Sequence, residues 1–334
     1  MIKDLIKLFP ALFPSKGDAH GEIVRKIVVL IAAAILLLSL FALFNMAVID
    51  LFAADKYAEK WNKRKADGIY NNKAAVVDLS AYTGGGSDKQ GKSGTPRPAL
   101  AEYADLYEEN NDFVGWLEIE KYVNYPVVQT DDNEYYLKHD FYKKKTANGT
   151  IFADCEQKIT EKNVPANIIL YGHNLRTKNM FQPLLKYRDS PKFLTDNAVI
   201  NFDTLYERGK YKIYAVFQCN TLTEHGAVFD YWNYVNFSGE SEFNYFVKEI
   251  TDRAMFLTGA DLKYGDSLLT LSTCDFTMKD MRFVVVARKL REGESETVDP
   301  AGFVNHSGVD EHGRLQRKMF EAYYRLRNLR WAGA

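Results

Sequence analysis

The chain has 334 residues, enough for one sizeable domain with appendages or for two small domains. Its formal net charge of -1 excludes a globally basic surface of the kind that holds nucleic acid. Its three cysteines, Cys155, Cys219 and Cys274, have no paired spacing, which excludes a disulfide framework and a zinc motif.

Residues 1–22 are polar and mixed, and Pro10, Pro14 and Gly17 interrupt any helix there. Residues 27–49 form an apolar run broken only by Ser39 and Asn45. As a helix it would be about 35 Å long, enough for a hydrocarbon core of about 30 Å. A cleaved signal peptide is the competing reading. It calls for a shorter apolar region with a small-residue cleavage site, and Phe52-Ala53-Ala54 matches that weakly, so an uncleaved anchor is the expectation. Arg25 and Lys26 flank one end and Lys56, Lys60, Lys63, Arg64 and Lys65 follow the other, so the positive-inside rule does not choose an orientation. Because the bulk of the chain follows the run, we expect the N-terminus in the cytoplasm and the domain outside.

Residues 55–71 are compatible with a stalk helix. Residues 83–98, with Gly84-Gly85-Gly86, read as a flexible linker. A helix is predicted over 100–110, with Leu100, Tyr103, Ala104 and Tyr107 on one face. Strands follow at 113–119, 125–129, 150–152, 166–171, 198–203, 210–218, 267–271 and 282–290, with helices at 180–188 and 240–253 between them. Many short strands with few helices predict a mainly β fold, a closed or partly closed barrel. The expected divisions are a cytoplasmic segment 1–26, an anchor 27–49, a stalk and linker 50–99, a folded domain 100–291 and an extension 292–334. The extension carries a basic amphipathic helix from Leu315 onward, expected to pack on its own domain rather than on a membrane.

The chemistry centres on Leu268-Leu269-Thr270-Leu271-Ser272-Thr273-Cys274 and on Arg282-Phe283-Val284-Val285-Val286-Ala287-Arg288. The first run is apolar and ends on a cysteine; the second is Val-rich and starts on an arginine. That pattern places a thiol and a guanidinium together at the rim of a sheet. A cysteine nucleophile needs a base or an electropositive setting. Of the six histidines, His173 alone follows a buried-strand pattern, Asn167-Ile168-Ile169-Leu170-Tyr171, with Gly172 permitting close backbone approach. Cys274, His173 and Arg282 are therefore the candidate catalytic residues. Arg288, on the same strand as Arg282, is expected to tolerate substitution without loss of activity. Cys219 reads as core, and Cys155 has no assigned role.

These residues carry a resemblance. Thr270-Leu271-Ser272-Thr273-Cys274 resembles the TLxTC signature of sortases, Arg282 opening a Val-rich strand is similar to the sortase arginine, and Tyr171-Gly172-His173-Asn174 to the sortase histidine segment. Ser272 within the motif, the helix before the barrel, Tyr125-Pro126-Val127-Val128-Gln129 running into Asn133-Glu134-Tyr135-Tyr136-Leu137, and the helix in the long connection resemble class B. The resemblance implies an eight-stranded β-barrel and a membrane-anchored cysteine transpeptidase of Gram-positive bacteria that needs no cofactor. Its implied partners are secreted proteins bearing a sorting signal, a peptidoglycan-precursor or pilin amine, and the cytoplasmic membrane; nucleic acid is not among them.

In the implied mechanism Cys274 forms an acyl-enzyme, His173 moves protons, and Arg282 with nearby backbone amides holds the oxyanion. Strand alternation turns one of Ser272 and Thr273 toward the groove. Tyr171 shares a face with His173 and is a candidate pocket residue. Asn133 and Leu137 match positions that line the class B substrate groove. Asp275 offers a backbone N–H to the oxyanion, while its carboxylate would oppose a thiolate if it pointed inward. Two other readings stand beside this one: a papain-like Cys-His wall hydrolase, and a non-catalytic, membrane-tethered binding barrel.

Overall fold

The computed structural model describes residues 13–66, 76–79, 98–225, 227–277, 279–298 and 304–305. The N-terminal unit is built on helix α1 (His20–Ala66). Its stretch His20–Asn45 has a mean hydropathy of 3.1 and buries none of its residues within the protein. Leu36, Leu37, Leu38, Phe41 and Phe44 are all exposed. Length and composition make this stretch a candidate membrane span. The predicted stalk is the C-terminal part of the same helix. The predicted linker falls largely on residues outside those described, as does the predicted helix from Leu315 onward.

The second unit is a closed barrel of eight strands: β1 (Phe113–Ile119), β2 (Val123–Val128), β3 (Ile151–Ala153), β4 (Asn167–Tyr171), β5 (Val199–Thr204), β6 (Lys210–Asn220), β7 (Leu268–Asp275) and β8 (Met281–Lys289). Around the barrel they run β8-β7-β4-β3-β2-β1-β5-β6, and β6 pairs back onto β8 to close it. The β2–β3 and β4–β7 pairs are parallel and the others antiparallel. Closure leaves no exposed edge in the ring itself. A short strand, Ala254–Leu257, adds to β6, and Val304–Asn305 adds to that.

Four shorter features depart from the sequence reading. The folded unit starts before Leu100, because Val76–Asp78 pairs with Pro98–Leu100. The predicted helix at 100–110 is a 3-10 turn, Ala101–Tyr103, followed by α2 (Ala104–Glu109). The tighter turn rotates the register, so Leu106 is buried where Tyr107 was expected. The predicted helix at 180–188 begins only at Gln182, since Met180 has φ 55, and becomes α3 (Lys186–Asp189). Helix α4 (Pro191–Asp196) was not predicted; Ser190 caps it by accepting a hydrogen bond from the Phe193 N–H, and Pro191 opens it.

Phe283, Val284, Val285, Val286 and Ala287 of β8 are all fully buried, so this strand is covered on both faces. The interior of the barrel covers one. The other lies under the connection 221–267 and its helix α5 (Glu240–Arg253). Phe243, Phe246 and Ile250 of α5 recur at helical spacing and pack with Phe217, Val284, Val286 and Leu268, joined by Phe229 and Tyr231. Each such side chain contributes roughly 1.5–3 kcal/mol by leaving water. This is why the Val-rich run does not alternate with polar residues.

At the end of β8 away from Arg282, Arg288 is 1% exposed. Its guanidinium donates to both oxygens of Glu294 at 2.7 Å and to the Asp261 carbonyl at 2.8 Å. It is therefore a buried framework residue and not the neutral position expected from sequence. Glu294 also pairs with Lys212 at 3.1 Å, and the Arg288 guanidinium beside it holds its carboxyl well below the usual carboxylate range. These pairs and the buried Val298 fold residues 292–298 onto the barrel, past the boundary expected at 291.

Asp203 of β5 is 3% exposed and accepts hydrogen bonds from the Tyr103 hydroxyl at 2.9 Å and the Gly209 N–H at 3.2 Å. Burial outweighs these donors and raises its pKa from 3.8 to about 6. A carboxyl whose pKa rises on folding holds its proton better in the native state. Its contribution is present below pH 4 and is lost as pH rises through 6. The change amounts to on the order of 3 kcal/mol. Asp203→Asn should remove this component: the difference in unfolding free energy between variant and wild type, measured by denaturant titration, should shift in the variant's favour from pH 4.5 to pH 7. A difference independent of pH would show that Asp203 titrates normally.

Candidate active site

Strands β4 and β7 run parallel, with Ser272 opposite Tyr171 as the last pair of the ladder. Both strands run to the same rim, where His173 follows the end of β4 and Cys274 lies near the end of β7. Strand β8 returns antiparallel from that rim and sets Arg282 directly across from Cys274. Three residues far apart in sequence thus share one edge of the barrel. The Arg282 Nη1 donates to Cys274 Sγ at 3.6 Å, and both side chains are half-buried. Cys274 lies within the strand, which continues through Asp275, and Arg282 is the second residue of its strand.

The face is set by alternation. Arg282 is two and four residues from Val284 and Val286, which lie under the connection, so Arg282, Cys274 and Ser272 face the same way. The connection supplies Tyr231, whose hydroxyl is 2.6 Å from Ser272 Oγ. Both residues are buried. Burial pushes the Tyr231 phenol up, which keeps it protonated and able to donate.

His173 Nε2 is 2.9 Å from the Leu137 carbonyl oxygen. A carbonyl only accepts, so Nε2 carries the proton and Nδ1 of the neutral ring is left with its lone pair. Leu137 thus acts through its backbone. The ring lies against Gly149, where a Cβ would come within 3.1 Å of His173 Cδ2 and 2.5 Å of the Tyr136 carbonyl, and where φ is +61°. Gly149 is needed there on both counts. Gly172 makes the close approach expected of it: a Cβ would stand 2.8 Å from the Phe181 ring.

Tyr171 sits beside Ser272 and donates its hydroxyl to Asp154 Oδ2 at 2.7 Å. Asn133 Nδ2 donates to the same oxygen at 3.2 Å, and Asn133 Oδ1 accepts from the Cys155 N–H at 2.9 Å. The buried Asp154 carboxylate therefore joins two of the predicted pocket residues. Burial first, and then the Asp154 and Glu156 carboxylates, push the Cys155 thiol up. Burial does the same to Cys219, whose Sγ donates to the Phe229 carbonyl at 3.4 Å. Cys219 also stands across from Arg282, on β6, but the Arg282 guanidinium donates to Cys274.

Thr273 departs from the substrate contact expected of it, and Asp275, whose backbone N–H was expected at the oxyanion, is paired with Met281 in the β7–β8 ladder. Both side chains point to the opposite face from Cys274 and are buried. Thr273 Oγ1 donates to the Gly172 carbonyl at 2.7 Å. Asp275 accepts from Arg188 Nη1 at 3.0 Å, Gln218 Nε2 at 2.5 Å and the Thr277 N–H at 2.9 Å. Its carboxylate is thereby kept off the thiol. Ser272 faces the site, but its hydroxyl is taken by Tyr231. The residues that sequence reasoning missed are Arg188, Gln218, Gly149 and Tyr231. Of these only Gly149, in the turn pair Asn148-Gly149, carries a local signal. Among the described residues no group of His, Cys, Asp or Glu is arranged to hold a metal ion.

Residues 117–290 match the family model for the sortase domain. Sortase B of Listeria monocytogenes is 32% identical over 180 residues, covering 54% of this chain and 69% of that protein. Sortase B of Staphylococcus aureus is 30% identical over 195 residues, covering 57% of this chain and 75% of that one. Among solved structures, a Bacillus anthracis protein described as similar to sortase B superposes with a TM-score of 0.51 at 29% identity, over 58% of this chain and 85% of that one. A Staphylococcus aureus sortase B–substrate complex does so with a TM-score of 0.51 at 26% identity, over 58% and 87%. With its matched domain, its closed barrel and a cysteine paired across strands with an arginine, the chain belongs to the sortase family, as a sortase B-type cysteine transpeptidase.

Proposed function

We propose that the protein is anchored in the cytoplasmic membrane by α1 and attaches secreted proteins to an amine acceptor outside the cell. Cys274 passes its thiol proton to His173 Nδ1, and its Sγ attacks the carbonyl carbon of a peptide bond in a C-terminal sorting signal. The bond to the leaving amine breaks as His173 delivers a proton to it, and a thioester remains on Cys274. An amine of a peptidoglycan precursor, or a pilin lysine, then attacks the thioester. Its proton passes to His173, and the Cys274 sulfur leaves. Arg282 receives the negative charge on the carbonyl oxygen in both tetrahedral intermediates. Arg282 cannot serve as the base, because a guanidinium stays protonated. Leu137 holds the histidine with Nδ1 free to take up and release the proton, and Tyr171, Asn133 and Ser272 border the peptide.

The observation that carries this reading is the Cys274–Arg282 cross-strand pair, with sulfur and guanidinium 3.6 Å apart at the rim where the histidine strand ends. A cysteine inside a strand is also unlike the helix N-terminus that a papain-like hydrolase uses, and a binding module has no need of an arginine on a thiol.

Peptides carrying the sorting signals of proteins from the same genome should leave a covalent acyl adduct on the wild type, seen by intact mass, and none on Cys274→Ala. An adduct on the variant, carried by Cys155 or Cys219, would remove Cys274 from this role. Arg282→Lys keeps the charge but loses the planar fork, and turnover should fall by about 10²-fold or more with the melting temperature little changed. Lys289, whose side chain pairs with Glu207 at 3.0 Å away from the site, is the control in place of Arg288: Lys289→Ala should retain turnover. Near-normal turnover in Arg282→Lys would assign the oxyanion to other groups.

The anchor is tested separately. After carbonate extraction of cells the full-length chain should remain with the membrane. A released form starting near Ala54 would mean that the apolar run is a cleaved signal.

A further inference from the structure

Strand pairing puts a buried carboxylate on the same face as the thiol. Phe152 of β3 stands opposite Tyr171 of β4, and Tyr171 stands beside Ser272 of β7. Alternation then gives Asp154, Tyr171, Ser272 and Cys274 one common face. Asp154 follows the last residue of β3, and its N–H continues the pairing by donating to the Ile169 carbonyl at 3.0 Å. It is 3% exposed.

Three donors converge on its side chain. Tyr171 Oη donates to Oδ2 at 2.7 Å, Asn133 Nδ2 donates to the same oxygen at 3.2 Å, and the Glu156 N–H donates to Oδ1 at 2.8 Å. A carboxylate only accepts, so Tyr171 and Asn133 must each turn a hydrogen toward it. The Asn133 amide is fixed at its other end as well, because Oδ1 accepts from the Cys155 N–H at 2.9 Å. Asn133 opens the segment that runs on to Leu137, whose carbonyl holds His173.

These bonds decide what the two side chains can still offer. The Tyr171 hydroxyl has used its hydrogen and keeps lone pairs. Asn133 Nδ2 has used one hydrogen and keeps a second. The wall therefore presents an acceptor and a donor, the two functions that the N–H and C=O of an extended peptide require. An amide in place of the Asp154 carboxylate would reverse this. The Glu156 N–H would hold its oxygen at the Oδ1 position, its NH2 would replace Oδ2, and Tyr171 would become the acceptor of that bond.

We infer that Asp154 is a positioning residue for peptide binding: it fixes the polarity of the wall, with Tyr171 as acceptor and Asn133 as donor toward the main chain of the bound peptide. This rests on the reading above in which Asn133 and Tyr171 border the peptide. Asp154 touches neither the peptide nor the reacting sulfur, so its loss weakens binding and spares the chemical step.

The full chain is acylated with the sorting-signal peptide that leaves an adduct on the wild type, and intact mass follows the rate over a range of peptide concentrations. Asp154→Asn should raise the concentration giving half the maximal rate by about tenfold, the scale of one lost hydrogen bond. The maximal rate, and the rate at which iodoacetamide alkylates Cys274, should stay at the wild-type values. The double variant Asn133→Asp with Asp154→Asn separates polarity from packing. It sets an amide against a carboxylate again, so the bond within the wall is kept while the donor to the peptide is lost. It should melt near the wild type yet retain the weakened binding. Recovery of wild-type binding in the double variant would reduce Asp154 to a framework residue and overturn the inference. Asn133→Ala and Tyr171→Phe check the underlying reading. If either weakens binding and Asp154→Asn does not, the inference falls and that reading stands. If neither weakens it, both fall. Equal losses of acylation and alkylation in Asp154→Asn would place Asp154 in the setting of the thiol and overturn the inference as well.

Discussion

The parallel pairing of β4 with β7 is the constraint from which the site follows. Parallel strands leave a sheet at the same edge, so the residues after Tyr171 and Ser272 emerge side by side although about a hundred residues separate them. The pairing also requires a long crossover, because parallel neighbours cannot be joined by a tight turn. Here the crossover contains β5, β6 and the connection with α5. The same stretch of chain that closes the barrel therefore also roofs the face that carries Cys274 and Arg282. Strand β8 then needs only a short turn to bring Arg282 back opposite Cys274.

The two faces of β7 have separate duties. Ser272 and Cys274 face the connection and, with Arg282, form the side of the candidate site. Thr273 and Asp275 face the other way, and each is fixed to a different part of the barrel: Thr273 to the carbonyl of Gly172, Asp275 to Arg188 and Gln218. A strand end at the rim of a barrel is the part of the sheet with the fewest neighbours. Anchoring every second side chain gives the intervening cysteine a defined position without placing any framework atom in the path of a substrate. The carboxylate next to the nucleophile is an asset under this arrangement, since its charge is spent on Arg188.

Much of this was legible in the sequence, for identifiable reasons. The eight strands could be read because β-branched and aromatic runs are bounded by polar turns. That Cys274, His173 and Arg282 lie at one rim could be read because each adjoins a run too apolar to lie anywhere but in the sheet. The helix 240–253 could be read because Phe243, Phe246 and Ile250 keep helical spacing. What could not be read depends on partners remote in sequence. Arg288 looks like Arg282 in the sequence, a charged residue flanking a Val-rich run, and only Glu294 and Asp261 reveal it as buried. Leu137 was a candidate for its side chain, yet its contribution is a carbonyl, which every residue possesses and no sequence pattern marks. The orientations of Thr273 and Asp275 stayed open because alternation fixes that neighbours face opposite ways but not which of them faces the site; the connection, by covering Val284 and Val286, decides it.

The connection also explains why the reactive thiol is half-buried in a face otherwise built like a core. Phe217, Phe229, Val284 and Val286 continue that face away from the rim as a single apolar cluster. Tyr231 belongs to this cluster by its ring and to the site by its hydroxyl. It marks the boundary where packing ends and chemistry begins. A purely apolar residue there would leave the Ser272 hydroxyl buried without its partner, at a cost of about 1–3 kcal/mol. The Tyr231–Ser272 bond thus fastens the roof to the nucleophile strand at the last turn before Cys274.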